Sequence, residues 1–278
     1  MPQSFQRKSV TKLALALLAS MSFSALSAEE NAADKAAKEL ANPNTAFASL
    51  NFKFQHRTYE GDIPGADDQD GQMILFQPSL PFPREDGTKI IWRPAVPIHI
   101  STPWQEESGL GDISMDVAYA FAPPKDNPGE LMAVGVFTSL PTGDEKVGGG
   151  EATTLGPEFL WGQISADGII GMFPNHQWDV AGDIDISITS SQFFYVKLPG
   201  GGWNYGTSPT LSYDHKAEEW TIPLNFSFGK TVMFGTRPWK LGMEINYYVE
   251  KPDDFGPEWM ISFNVSPVVE NVMANWFR

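Results

Sequence analysis

The chain has 278 residues, a formal net charge of −15 and no cysteine. That acidic balance removes the electrostatic basis for nucleic-acid binding, and the absence of thiols excludes a disulfide scaffold, a thiolate nucleophile and a thiolate metal site. With 13% aromatic and 19% charged residues, 25 Gly and 22 Pro, the composition suits strands and turns better than helices.

The chain begins with Arg7, Lys8 and Lys12, then a short apolar run over residues 13–23, then Leu26-Ser27-Ala28 before Glu29-Glu30. That order predicts a secretory signal peptide over residues 1–28, since the apolar run is too short to cross a bilayer as a helix. Residues 29–44 are expected to form a short helix and linker. AADKAAKELA is rich in helix formers, carries Asp34 and Lys38 four apart, and is stopped by Asn42-Pro43. The sequence leaves open whether this helix lines or plugs a larger structure or serves as a spacer. Residues 45–278 are expected to form one β-barrel.

From Thr45 the hydrophobic period becomes two. Ile113, Met115, Val117, Tyr119 and Phe121 share one face opposite Ser114, Asp116, Ala118 and Ala120. Trp220, Ile222, Leu224, Phe226 and Phe228 repeat the pattern, as do Leu241 to Val249 and Trp259 to Val265. The predicted strands are 47–58, 72–80, 89–100, 110–122, 131–140, 156–164, 168–177, 184–196, 203–213, 219–229, 239–249 and 258–268, about twelve in all. Each is about long enough to cross a bilayer when tilted. Pro78, Pro94 and Pro97 sit in the second and third strands and Pro81 just after the second, where a missing ladder donor predicts bulges or an early strand end. The acidic 60–71 link and the long 141–155 link fall on the outer side by alternation.

Alternation also fits a secreted β-sandwich. A transmembrane barrel is favoured by the number of similar strands, by polar faces rich in Gly, Ser, Asn and small acids, and by aromatics near strand ends (Trp104, Tyr119, Trp178, Trp203, Trp220, Trp239, Trp259). The predicted fold is therefore an all-β transmembrane antiparallel barrel of the bacterial outer membrane with a short N-terminal helix. Its expected partners are outer-membrane lipid and lipopolysaccharide, the barrel-assembly machinery and a small-molecule substrate.

Several stretches resemble, in order, the outer-membrane family labelled "MetA-pathway of phenol degradation", whose members are regarded as transporters. They are Lys38-Glu39-Leu40-Ala41-Asn42-Pro43, Gln77-Pro78-Ser79-Leu80-Pro81-Phe82, Arg93-Pro94-Ala95-Val96-Pro97-Ile98, Gly109-Leu110-Gly111-Asp112-Ile113, Leu140-Pro141-Thr142-Gly143-Asp144, Leu155-Gly156-Pro157, residues 199–203 and Pro223 with Gly229-Lys230. The resemblance implies an outer-membrane barrel that moves aromatic or other hydrophobic molecules, and it brings no catalytic residues. One departure from barrel proteins generally is that Arg278 follows Phe277, where many end on an aromatic residue.

Chemistry motifs are lacking. His56, His99, His176 and His215 fall in no metal spacing, no Gly-x-Ser-x-Gly elbow occurs, and Asp67, Asp68 and Asp70 miss the register of a calcium loop. No enzyme activity, cofactor or metal is expected. The lumen-facing candidates are Lys53, Arg93, His99, Asp112, Asp116, Glu158, Asp183, Asp185 and Glu244. Acids outnumber bases in that set, which predicts a negative interior favouring cations, with Lys53, Arg93 and Lys197 bracing the acids. The predicted function is passage or binding of small hydrophobic or aromatic molecules. The alternatives are a structural or adhesive surface barrel with acidic loops and an outer-membrane lipid hydrolase.

Overall fold

The computed structural model describes residues 31–150 and 152–277, so the predicted signal peptide over residues 1–28 lies outside the described residues. Helix α1 covers residues 31–41. Twelve strands follow in chain order. They are β1 (Phe52–Glu60), β2 in two pieces (Asp70–Phe76 and Leu80–Pro83), β3 (Lys89–Ser101), β4 (Ile113–Ala120), β5 (Glu130–Leu140) and β6 (Ala152–Ile164). The second half comprises β7 (Gly168–Gly182), β8 (Ser187–Gly200), β9 in two pieces (Trp203–Thr207 and Thr210–Asp214), β10 (Glu219–Phe234), β11 (Arg237–Glu250) and β12 (Gly256–Val269). Every strand pairs antiparallel with its chain neighbours, and β12 pairs with β1 from Gly256↔Glu60 to Val265↔Phe52. The ring is closed. Among the described residues none of the twelve strands is left as an open edge, which is the condition for backbone to lie in lipid.

Side chains obey the two-residue alternation that such a wall requires. In β6, Ala152, Thr154, Gly156, Glu158, Leu160 and Gly162 are buried, whereas Leu155 and Trp161 between them are exposed. The outer wall is apolar: Leu224 is 63% exposed, Phe263 57%, Phe226 51% and Ile170 51%. A soluble protein does not leave side chains of this size in water over a whole surface, and a lipid-embedded wall does. Aromatics ring this belt at both ends. Trp178, Trp220 and Trp259 stand near one end of their strands, and Trp92, Trp161, Trp203 and Trp239 near the other. Trp104 belongs to neither girdle; it lies on the loop after β3.

The prolines act as their chemistry dictates. β2 breaks at residues 77–79, opposite Arg93 to Ala95 of β3, where Pro94 has no N–H to give. The freed stretch bonds to the chain before β1 instead: Gln77 N–H donates to Asn51 O at 2.8 Å and Ser79 N–H to Ser49 O at 2.9 Å. β3 itself continues through both prolines: at Pro94 it stays paired with β4, from Lys89 to Ala95, and at Pro97 with the first piece of β2, where Leu75 is the partner.

The two ends of the barrel differ. At the end holding α1 and the close of β12 the links are short, down to Gly201-Gly202 between β8 and β9. At the other end longer loops interlock. Asp112 Oδ1 accepts from the N–H groups of Gly143 (2.8 Å) and Gly150 (2.9 Å), and Trp104 N–H donates to Gln69 Oε1 (2.6 Å). Short periplasmic turns and long external loops are the rule for bacterial outer-membrane barrels, so the loop end faces outward. Inside the short-link end, inward side chains pack into an apolar cluster of Ile91, Leu131, Leu160, Ile169 and Phe194 among alanines. α1 is seated there, with Ala33, Ala36 and Ala37 buried and Ala41 against the cluster. Asp34 Oδ1 accepts from Gly202 N–H at 2.6 Å, and Lys89 Nζ donates to Asn44 O at 2.7 Å. Gly202 has φ of 74°, and a Cβ there would come within 2.3 Å of Thr231 O, so both conformation and space demand glycine.

Candidate functional site: the lumen and its outer mouth

The register fixes which side chains face the interior. Lys53, Gln55 and Arg57 of β1 pair with Asn264, Ser262 and Met260 of β12, on the face opposite the exposed Phe54 and Phe263. Arg93 pairs with Asp116 across β3 and β4, and its Nε donates to Asp116 Oδ1 at 2.8 Å. The guanidinium also lies over the ring of Phe173, 4.5 Å from its centroid. Glu158 is buried two strands further round; its Oε1 has no partner, and it lies in the fields of Asp116 and Arg93. On the far wall Asn225 Nδ2 donates to Glu244 Oε1 (2.9 Å) and Asn246 Oδ1 (2.8 Å). Lys53 Nζ donates to Gln77 Oε1 at 3.0 Å. The middle of the barrel is therefore a belt of charge and amide around the interior, above an apolar floor.

Three predicted lumen candidates lie elsewhere. Asp112 is in the link before β4, where its carboxylate is used up on the backbone of the following loop. Asp183 and Asp185 lie in the bend between β7 and β8, and Asp185 Oδ2 accepts from Lys216 Nζ at 2.6 Å on the outer loops. That bond raises the pKa of Lys216 above the ordinary lysine value. The sequence misplaces them because an alternating pattern carries no mark of where a strand turns into a loop. Lys197, expected to brace the acids, pairs with Gly168 and Tyr205 on the outward face. Conversely, Arg57, Lys89 and Lys240 point inward by register, and the sequence pattern alone does not single them out.

Inward strand positions carry the acids Asp116, Glu158, Asp179, Asp214, Glu219 and Glu244 and the bases Lys53, Arg57, Lys89, Arg93 and Lys240. Asp179, Asp214 and Glu219 stand toward the loop rim and Lys89 at the opposite one, and Asp179 and Asp214 accept from loop N–H groups. The strand wall is thus close to charge balance.

A cavity of about 570 Å³ opens at the outer mouth. Arg57, Tyr59 and His99 line it from the strands, and Trp104, Lys146 and Phe255 from the loops. Tyr59 and Phe255 stack at 4.8 Å with 10° between planes, and Trp104 lies 5.4 Å from Phe255. His99, the strand histidine expected to face inward, sits in this cavity's wall with Ser101 near it, and Ser101 Oγ accepts from Gln72 N–H at 3.2 Å.

The fold is similar to that of the crystal structure of an outer membrane channel from Pseudomonas putida F1, with a TM-score of 0.61, 12% sequence identity, and coverage of 80% of this chain and 96% of that one. It is also similar to the NanC porin in a rhombohedral crystal form, with a TM-score of 0.50, 11% identity, and coverage of 80% and 99%. The chain has the fold of an outer-membrane channel. No protein-family model matches it, and no curated protein does. The likeness at this identity is one of fold, and the chemistry must come from the residues themselves.

Among the described residues no three His, Cys, Asp or Glu converge as metal ligands. A hydroxyl between two imidazoles does occur on the outer wall: Thr189 Oγ1 lies 2.7 Å from His176 Nδ1 and 2.8 Å from His215 Nε2. An acyl-transfer site needs a base oriented by a third group and donors for the oxyanion. His176 Nε2 has no partner to orient it, so the arrangement supports a hydrogen-bonded cluster beside Trp178, Tyr213 and Trp220 rather than a nucleophile.

Proposed function

We propose that this barrel passes small hydrophobic or aromatic molecules across the outer membrane, as the resemblance to the phenol-degradation family implies. The observation that carries the reading is the enclosed interior: a closed wall, a cavity at the outer mouth lined by Tyr59, Trp104 and Phe255, and a polar belt beneath it. Lys53, Arg93, Asp116, Glu158 and Glu244 form that belt and set the width and charge through which a solute moves, and His99 stands at its outer edge. The Arg93–Asp116 pair and Phe173 narrow the passage, and the apolar floor with α1 limits it at the periplasmic end. Small solutes of mixed character suit a route whose upper wall is aromatic and whose middle is polar. Lipid and lipopolysaccharide contact the outer belt, and the barrel-assembly machinery inserts it.

A surface or adhesive role would draw on the loops alone and leave the aromatic mouth without purpose. Reconstitution into planar bilayers tests the proposal. Unitary conductance steps are expected, and a neutral aromatic solute added on the loop side is expected to interrupt them. No steps at any voltage or salt concentration would contradict it.

A further inference from the structure

We infer that the cavity at the outer mouth is a binding site for small aromatic carboxylates, with Arg57 as the anion-recognising residue. This rests on the proposed passage and assigns a solute class to its entrance. Arg57 carries an unanswered charge. Its Nη2 donates to Gln55 Oε1 at 3.1 Å, while Nε is buried and has no partner. Among the described residues no carboxylate forms an ion pair with Arg57, in contrast to Arg93, which has Asp116. Arg57 is half-buried, with Nε out of reach of water and the guanidinium in the wall of the cavity, so a bound anion would supply both a counter-charge and a partner.

The surroundings choose among anions. Lys146 adds a second cation at the rim, held loosely by Glu107 at 3.8 Å, and the carboxylate lining the cavity is the exposed Glu145. The remaining wall is unlike that of a phosphate site. It is a cluster of the Tyr59, Phe255 and Trp104 rings with Met73 beside them, an apolar wall against which a ring can pack. A planar carboxylate matches the guanidinium fork, and a ring attached to it matches that wall. The volume of about 570 Å³ lies within the usual span of small-ligand sites, about 300–1,000 Å³.

Calorimetry on the full detergent-purified barrel, with sodium benzoate and benzyl alcohol as probes, separates the two halves of the site. Benzoate is expected to bind about tenfold or more tightly than benzyl alcohol, the difference a charge-assisted hydrogen bond supplies. Arg57→Gln is expected to abolish that preference while benzyl alcohol binding persists, which also shows the variant is folded. Trp104→Ala, on a loop outside the wall, is expected to weaken both probes alike. Equal affinity of the native barrel for the two probes, or an undiminished benzoate preference in Arg57→Gln, would overturn the inference. Binding is measured without conduction, so a barrel that binds benzoate yet shows no conductance contradicts the passage and leaves the site standing.

Discussion

Arg93, Asp116 and Glu158 show how one charge arrangement can both brace the barrel and shape its interior. The Arg93–Asp116 pair is 21% and 9% exposed at its side chains, so it is shielded enough to matter and wet enough that its worth stays modest. Arg93→Gln leaves two inward carboxylates without their cation and should cost up to about 3 kcal/mol, read as a lower urea midpoint for folding into vesicles. Glu158→Leu removes the buried oxygen that has no partner and should stabilise by about 1 kcal/mol in the same assay. These residues are visible in the sequence because they interrupt runs of small and apolar residues on one parity. Asp112, Asp183 and Asp185 look alike on that criterion and are loop residues, since what separates them from Asp116 is a strand boundary. Arg57 is legible as an inward position of a predicted strand, but nothing local distinguishes an arginine with a partner from one without. That distinction depends on neighbours about 200 residues away across the β12–β1 seam.

β10 carries the clearest division between lipid and lumen. Leu224 is 63% exposed on the outer face, flanked by Ile222 and Phe226, while Asn225 and Ser227 point inward to Asn246 and Glu244. Leu224→Arg should destabilise the barrel by about 2–4 kcal/mol, measured by urea titration in lipid vesicles, and Ser227→Arg should cost clearly less. Such strands are legible because a period of two, sustained along a whole segment, fits little besides a strand with two unlike faces. The breaks are not equally legible. Proline announces the interruption of β2, yet β3 runs through two prolines because β4 holds it at Pro94 and β2 at Pro97. α1 is readable as a helix from Ala32 to Ala41, but its seat on Gly202 and the apolar floor depends on tertiary packing that no local pattern records.

The molecule as a whole is acidic, and its strand-lined interior is close to balance. Inward strand positions hold acids and bases in nearly equal number, so the formal charge of −15 comes mainly from residues outside the lumen wall. Net charge therefore describes the surface that meets other molecules better than it describes the passage. The central claim is that each strand divides into a lipid side and a lumen side within a closed ring. Since the chain has no cysteine, single cysteines along β10 report on that division without background. In reconstituted vesicles, a small charged water-soluble thiol reagent is predicted to modify Thr221→Cys, Asn225→Cys and Ser227→Cys and to leave Ile222→Cys, Leu224→Cys and Phe226→Cys unmodified. Uniform labelling along the strand, or labelling of the even positions instead, would contradict that division.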